Sequence, residues 1–137
     1  MHMQGIPKTM QNNPNYTNII QEIMYYFSKK INAPRKKGVN DIIIDPGFGF
    51  GKTLEHNYEI LGKLNNLQLL NVPILAGISR KSMIYKLLNT SSKESLSGTI
   101  AANIIALQNG ANILRVHDVK EATECIKLDS GNSLQKN

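Results

Sequence analysis

The sequence predicts an α/β fold in which parallel strands alternate with helices. Short apolar runs begin near residues 41, 73 and 112, and continuous apolar strands are typical of parallel sheets that are covered on both faces. Longer segments with apolar residues at helical spacing separate these runs. Glycine, proline or polar clusters mark most of the boundaries. This alternation is that of a (β/α) barrel or of a doubly wound sheet.

The part of the chain before residue 70 contains one predicted strand between two predicted helices. Asn13 and Pro14 offer an N-cap and a first helical residue, and the isoleucines that follow predict a helix over 14–32. The run DIIID predicts a buried strand that ends at a Pro-Gly turn. Leucines on one face predict a helix over 54–69. The opening MHMQG could be the end of a fourth strand.

Two further strands are predicted beyond residue 70, each followed by a helix. PILAGI, over 73–78, reads as a strand, and SRKSMIYKLL begins a short helix directly after it. Ser91 and Glu94 form a capping-box pattern before a helix that should end near Gly110. NILRV, over 112–116, is the last predicted strand.

A final helix and a tail complete the chain. Asp118 is expected to be the N-cap of that helix. The residues from Asp129 onward are polar, and we expect them to be frayed. These elements predict one domain over 1–128 and a polar tail over 129–137.

Composition indicates a soluble globular protein. The chain has 137 residues, 41% of them hydrophobic and 19% charged, which favours a single domain. It has no apolar run of transmembrane length and no signal-peptide pattern at its start, so we expect no membrane partner. The single cysteine, Cys125, suits a reducing cytoplasm, and we interpret it as a packing or surface residue.

The formal charge of +6 raises nucleic acid as a partner, but much of the excess is local. Five cations lie close together without interleaved aromatic residues, at a predicted helix end and loop, where cations also complement the helix dipole. A solvated basic loop is therefore the favoured interpretation, and we expect no nucleic-acid partner. Anionic substrates are a further use for positive charge. The five are Lys29, Lys30, Arg35, Lys36 and Lys37.

The stretch DPGFGFGKT, over 45–53, resembles a phosphate-binding loop without matching one. The P-loop pattern is G-x-x-x-x-G-K-[ST], and Gly51-Lys52-Thr53 fits only its second half. The position five residues before Gly51 is Pro46, and the dinucleotide pattern G-x-G-x-x-G fails as well. We interpret the glycines as allowing the close approach of a flat ligand, because glycine lets a backbone come near to a ring.

Polar side chains follow each of the three predicted strands. Because the carboxyl ends of parallel strands meet at one edge, where ligands bind, these side chains should converge. Asp45 could instead only shape a turn, Lys81 could lie on a helix surface, and a lone histidine is usually structural. For Lys52, His2 and His56 the structural interpretation is favoured. The converging set is Asp45, Ser79, Arg80, Lys81, Ser82, Arg115 and His117.

This set of side chains suits a flat ligand that carries an anionic group. The Asp45 carboxylate can accept paired N–H donors from a guanidine-like heterocycle edge. Arg115 and His117 suit a phosphate or diphosphate, and arginine also stacks on flat rings. Phe48 or Phe50 could cover an aromatic substrate.

Four motifs, MHMQG, IDPGFGFGK, GISRKS and RVHDV, resemble in their order and spacing the dihydropteroate synthase family, over residues 1 to about 128. The resemblance implies the C-terminal half of a (β/α)8 TIM barrel. It also implies a cytoplasmic transferase of folate biosynthesis, which condenses 6-hydroxymethyl-7,8-dihydropterin diphosphate with p-aminobenzoate and releases pyrophosphate. Mg²⁺ assistance, inhibition by sulfonamides and a possible homodimer are further implications.

The resemblance assigns roles to particular residues. Asp45 is implied to hold the pterin N–H groups, and Lys81 to contact the pterin carbonyl beside the p-aminobenzoate site. Arg115 is implied to stack on the pterin and, with His117, to grip the diphosphate. Lys81, Arg115 and His117 are the implied catalytic residues. Met1 is implied to touch the pterin.

The p-aminobenzoate site and the metal site are implied in the same way. Phe50 is expected to pack against the p-aminobenzoate ring, and Ser82, with Ser79, to lie near its carboxylate. The family's first half is absent from this sequence, and we expect its metal ligand there, with none in this half. The alternative is therefore a non-catalytic half barrel, either a pterin-binding or assembly module or an inactive remnant. Open sheet edges would favour self-association.

Overall fold

The computed structural model of the protein describes residues 1–3 and 18–134. Strands and helices alternate along the described chain, which confirms the predicted α/β class. The elements are α1 (Ile19–Lys36), α2 (Leu54–Gly62), a 3-10 helix (Leu64–Leu70), β1 (Leu75–Ala76), α3 (Ser82–Tyr85), α4 (Leu96–Gln108), β2 (Ile113–Leu114) and α5 (Val119–Leu134).

The sheet is built from short parallel segments. β1 and β2 pair in parallel, with Leu75 opposite Ile113. Ile44 joins the same layer through a parallel bridge to Ile74, so the strand predicted over 41–45 is reduced to one paired residue. The amide of His2 donates to the carbonyl of Asp45 over 3.0 Å. The start of the chain therefore lies beside this segment, although it is not a regular strand.

The hydrophobic core lies between one face of the sheet and the helices. Ile44, Ile74 and Ala76 are at most 2% exposed and pack against α1, α2 and α4 in one cluster. Ile43 alternates with Ile44 along the strand, and its side chain is 54% exposed. Because successive strand residues point to opposite faces, the second face of the sheet is open within residues 1–3 and 18–134.

Helix α1 differs from its prediction at both ends. It begins at Ile19, where the Asn18 side chain accepts the Gln21 amide over 3.1 Å. The N-cap expected at Asn13 and Pro14 lies outside the described residues. The helix continues past 32 to Lys36 and includes Pro34 in its last turn. Proline removes one backbone donor there, but its carbonyl accepts the amides of residues 37 and 39.

The helix predicted over 54–69 divides after Gly62 into α2 and the 3-10 helix. Glycine and the two asparagines that follow Leu64 are poor helix formers. A 3-10 helix has three residues per turn, so Leu64 and Leu67 lie on one face, and both are fully buried. The segment ends at Asn71, which adopts a left-handed conformation.

Two boundaries in the second half also shift. The Ser91 hydroxyl does accept the Glu94 amide, but α4 begins only at Leu96, so the predicted helix start is too early. The Ser95 hydroxyl donates to the Ser92 carbonyl, which keeps this segment in a turn. Helix α5 continues to Leu134, so the prediction that the chain is frayed from residue 129 is wrong. Within the described ranges, every helix is too short or too polar to cross a membrane.

Burial of His2 makes stability dependent on pH. Burial, with the nearby Lys52 ammonium, lowers the pKa of His2 from 6.5 to about 4. Between pH 6.5 and 4 the unfolded chain therefore binds a proton that the folded chain does not, and stability is lost as the pH falls. We expect His2 to contribute about 3 kcal/mol to that loss.

This expectation can be measured as the change in the free energy of urea unfolding between pH 7 and pH 4.5. His2→Phe should show a smaller acid-induced loss than the wild type, because phenylalanine does not titrate. It also retains an aromatic ring against Tyr26, which His2 meets edge-on at 5.0 Å. Equal losses in both proteins would contradict the assignment.

Candidate active site

The loop after Asp45 is a tight turn closed by three glycines. Gly47, Gly49 and Gly51 all have positive φ angles, of 75°, 87° and 68°. Glycine adopts this region without steric cost. The Gly47 amide donates to Asp45 Oδ1 over 2.8 Å, and the Asn57 Oδ1 accepts the Gly49 amide over 2.7 Å. The loop is thus held from both sides and orients the Asp45 carboxylate.

A buried lysine fills the centre of this loop. Lys52 is 4% exposed, and its Nζ donates to the carbonyls of Gly47 (2.8 Å), Phe50 (2.9 Å) and His2 (3.2 Å). Burial lowers the pKa of Lys52 to about 8. Its ammonium binds the loop backbone and does not point toward a phosphate. These contacts agree with the structural interpretation of Lys52.

Asp45 and Arg115 meet at the carboxyl edge of the sheet, as the strand pattern predicts. Arg115 Nη1 donates to Asp45 Oδ2 over 3.0 Å. The Asp45 side chain is 11% exposed and that of Arg115 is 51% exposed, so the open face of the guanidinium is available to a ligand. A buried carboxylate beside an exposed guanidinium can bind N–H donors and an anion at neighbouring points.

Lys81 is placed between this pair and the glycine loop. Its Nζ donates to the Phe48 carbonyl over 2.6 Å and lies 4.8 Å from the centre of the Phe50 ring. Burial, and then the nearby charge of Arg115, lower the pKa of Lys81 to about 8. Lys81 is therefore half-buried against the glycine loop and is not an exposed lysine on a helix surface.

His117 is held by Ser79. Their side chains are 2.9 Å apart, between Oγ and Nδ1, and the His117 amide donates to the same Oγ over 3.2 Å. Ser79 therefore lies on the His117 side of Lys81. Its expected place near the p-aminobenzoate carboxylate stays a prediction.

Two cavities open next to one another at this edge of the sheet. A cavity of about 130 Å³ contains Ser79, Arg115 and His117 in its wall. A second, of about 300 Å³, contains Phe50, Ser82, Tyr85 and Ser92. Lys81 lines both. A larger cavity between α2 and α3 contains Ser82 of the converging set, but not Asp45, Arg115 or His117.

Several contacts at this edge of the sheet were missed by sequence reasoning. The Asp118 carboxylate, expected to cap α5, is instead bound by Arg80, with Nε and Nη2 each 2.9 Å from one oxygen. Tyr85 and Ser92 line the second cavity. The available signal was an arginine two residues after one predicted strand and an aspartate two residues after the next. Met1 is 43% exposed. It lies close to Asp45, because the amide of the next residue, His2, donates to the Asp45 carbonyl.

Mutation of Gly77 to alanine would test the position of the Arg115 side chain. A Cβ there would lie 2.9 Å from the Arg115 Cζ and would also overlap its Nη2. We expect Gly77→Ala to displace Arg115 from Asp45 and to weaken binding of inorganic pyrophosphate by about tenfold. Calorimetric titration gives the affinity, and Gly62→Ala, which has open space, is the control. Equal affinity in both variants would contradict the arginine's role.

In residues 1–3 and 18–134, no group of three or more His, Cys, Asp or Glu side chains could hold a metal ion. The described residues therefore do not fit a metal site made by protein side chains alone.

Cys125 is buried, and burial raises the pKa of its thiol, which agrees with the interpretation of a packing residue.

Comparison with known proteins shows which family the chain is similar to. The family model for pterin binding enzymes matches residues 1–117. Dihydropteroate synthase of Escherichia coli strain K12 is 48% identical over 130 residues, which cover 93% of this chain and 46% of that protein. The chain thus spans about half the length of the curated relatives it matches.

Solved structures extend the likeness to the fold. Yersinia pestis dihydropteroate synthase in a sulfonamide drug complex superposes with a TM-score of 0.94 at 40% identity, over 98% of this chain and 50% of that chain. Thermus thermophilus dihydropteroate synthase in complex with 4-aminobenzoate gives 0.89 at 33% identity, over 95% and 54%. The same enzyme has been solved in complex with 6HMPPP. The α/β region is therefore part of a (β/α)8 barrel, and the chain belongs to the pterin binding enzyme family, in its dihydropteroate synthase group.

Proposed function

We propose that this chain supplies the substrate sites with which a dihydropteroate synthase joins a pterin diphosphate to p-aminobenzoate. The observation that carries the proposal is that Lys81 lines two adjacent cavities. One cavity has the Asp45–Arg115 pair and His117 beside it, and the other has an aromatic ring and a hydroxyl group. A condensing enzyme needs two such sites within bonding distance, because proximity supplies much of the rate.

The pterin would occupy the smaller cavity. Its amino and ring N–H groups would donate to Asp45, whose carboxylate is already oriented by the Gly47 amide. Arg115 would stack on the ring with its exposed face and also bind the diphosphate, together with His117. Met1 would lie at the edge of the ring. Ser79 would hold the His117 ring in place.

p-Aminobenzoate would occupy the cavity lined by Phe50 and Ser82. Its ring would pack against Phe50, and its carboxylate would lie near the Ser82 hydroxyl. Lys81 would approach both substrates. The solved relatives bind 4-aminobenzoate and a sulfonamide drug, which supports the same ligand classes here. We therefore propose that sulfonamides compete with p-aminobenzoate for this cavity.

In the proposed reaction the C–O bond between the pterin methylene and the diphosphate breaks, and its electron pair leaves with pyrophosphate. The amine nitrogen of p-aminobenzoate then supplies the pair for the new C–N bond and loses one proton to solvent. Arg115 and His117 would stabilise the charge that grows on the leaving group. Asp45 and Lys81 would hold the reacting ring in place.

Mg²⁺ remains a proposal, because the described side chains do not form a site for it. We propose that it accompanies the diphosphate, whose hard oxygen atoms are ligands that Mg²⁺ prefers, and no step above depends on it. A cytoplasmic location and a homodimer are likewise proposals. The single, buried Cys125 agrees with a reducing compartment.

Pyrophosphate release tests the proposal. The purified chain is given pterin diphosphate, p-aminobenzoate and Mg²⁺, with Asp45→Ala as the control. We expect release that requires p-aminobenzoate, is blocked by a sulfonamide and is lost in the control. Binding of both ligands without release would favour the alternative of a non-catalytic pterin-binding module. A folded chain that binds neither ligand would sink the proposal.

A further inference from the structure

The Arg80 side chain is held by four hydrogen bonds at the carboxyl edge of the sheet. Its Nε and Nη2 donate to the two oxygens of Asp118, each over 2.9 Å. Its Nη1 donates to the carbonyls of Ser92 (2.9 Å) and Lys93 (2.6 Å). All three guanidinium nitrogens are thus engaged with protein atoms. Arg80 also lines the cavity that contains Phe50 and Ser82, but these bonds use four of its five guanidinium N–H groups and leave one for a ligand.

The backbone of Arg80 is tethered as well. Its amide donates to Oγ1 of Thr99, which is 2% exposed in α4, and its carbonyl accepts the Ser92 hydroxyl. Its φ angle is 54°, a conformation that side-chain-bearing residues rarely adopt. Such a conformation persists only when the surroundings determine it from several sides, and it is commonest at functional sites.

These contacts connect the two halves of the candidate site. Arg80 stands between Ser79, which holds His117, and Lys81, which lines both cavities. Asp118 directly follows His117. The bidentate bond therefore joins the loop after β1 to the loop after β2, each next to a site residue.

We infer that Arg80 and Asp118 form a positioning pair, which sets the distance between Lys81 and His117 for the proposed reaction. The inference rests on the proposed function for its consequence, but the pair itself is defined by geometry. The two side chains are each 21% exposed, so water competes only partly for the bond. The Arg80 guanidinium also lowers the pKa of Asp118, which keeps the carboxylate charged.

Lysine cannot reproduce the two parallel bonds of arginine, because its ammonium is a single point. The variants are Arg80→Lys, Asp118→Asn and the double variant, and Arg35→Lys is the matched control on an exposed arginine at the end of α1. The first measurement is the NMR signal and titration of the His117 ring in the ligand-free chain. The second is the affinity for inorganic pyrophosphate, by calorimetry.

We expect Arg80→Lys and Asp118→Asn each to shift the His117 ring signals and to weaken pyrophosphate binding by about tenfold. The double variant should be no worse than either single variant, because all three lose the same bond. Arg35→Lys should change neither readout. Unchanged His117 signals, additive losses, or pyrophosphate affinity that equals that of a binding wild type would each overturn the inference.

The two proposals can fail separately. A wild-type chain that binds no pyrophosphate counts against the proposed function. The His117 signals do not need a ligand, so they still decide whether the Arg80–Asp118 pair holds the histidine loop.

Discussion

Replacing Gly47 by alanine is expected to destabilise the protein by more than about 3 kcal/mol, or to prevent folding. A Cβ at this position would overlap the carbonyl oxygen of His2 and lie 3.1 Å from the Lys52 Nζ. The His2 oxygen is a backbone atom and cannot rotate away. The φ angle of 75° adds a conformational penalty. Overpacking costs about 1–3 kcal/mol and a left-handed conformation about 1–2 kcal/mol for a residue with a side chain.

Gly38→Ala separates these two causes. Gly38 has a φ angle of 85°, and a Cβ there would meet nothing within 4 Å. It should therefore lose only the conformational part, about 1 kcal/mol. Urea unfolding at neutral pH measures both variants. If Gly47→Ala lost no more free energy of unfolding than Gly38→Ala, close contact between the start of the chain and the glycine loop would be disproved.

Replacing Lys81 by methionine is expected to weaken binding of both proposed substrates while the protein remains folded. The Lys81 ammonium donates to the Phe48 carbonyl and lies over the Phe50 ring, and it lines both cavities. Methionine fills similar space without the charge. A hydrogen bond to a charged group contributes about 1.5–3 kcal/mol, so each affinity should fall about 10- to 100-fold.

Two further variants make this prediction specific. Phe50→Leu should weaken p-aminobenzoate binding alone, because Phe50 lines only the larger of the two adjacent cavities. Asp45→Asn should weaken pterin binding alone, since its carboxylate bonds to Arg115 on the other side of Lys81. Calorimetric titration of each variant with each ligand gives the pattern. Lys81→Met that affected only one ligand would show that the lysine does not serve both sites.

The affinity for p-aminobenzoate should also depend on pH. Burial lowers the pKa of Lys81 from 10.5 to about 8, so its positive charge is lost as the pH rises through about 8. Binding of an anion should weaken over the same interval. Lys52 has a similar pKa, so the decisive comparison is with Lys81→Arg. That variant stays charged and should retain its affinity to pH 9.5.

Local sequence patterns were enough to predict the α/β class and the edge of the sheet at which the candidate site lies. Apolar strands and helical periodicity are properties of neighbouring residues, and parallel strands bring their carboxyl ends together by geometry. Asp45 and Arg115 could therefore be expected to converge, and they do, over 3.0 Å. The failed P-loop match was likewise readable, because it depends only on the spacing of glycines.

The ends of the helices and the hydrogen-bond partners of individual side chains were harder to predict from the sequence. The 3-10 helix replaces the end of a predicted helix because Leu64 and Leu67 are buried together, and burial is a tertiary property. The sequence indicates a structural role for Lys52, but it does not identify the three carbonyl partners of the ammonium. One of them, in His2, is 50 residues away. Spacing along the chain does not show which distant backbone atoms a side chain meets.

The sequence by itself determined the family, the order of strands and helices, and which strand ends carry charged groups. Only the tertiary structure decided that Lys81 lies between two cavities. It also decided that the Ser79 hydroxyl group bonds to the His117 ring and that the Asp118 carboxylate binds Arg80. The physical reason is that hydrogen bonds and burial act at distances of a few ångströms. Residues 38 positions apart, such as Arg80 and Asp118, reach that distance only after the chain has folded.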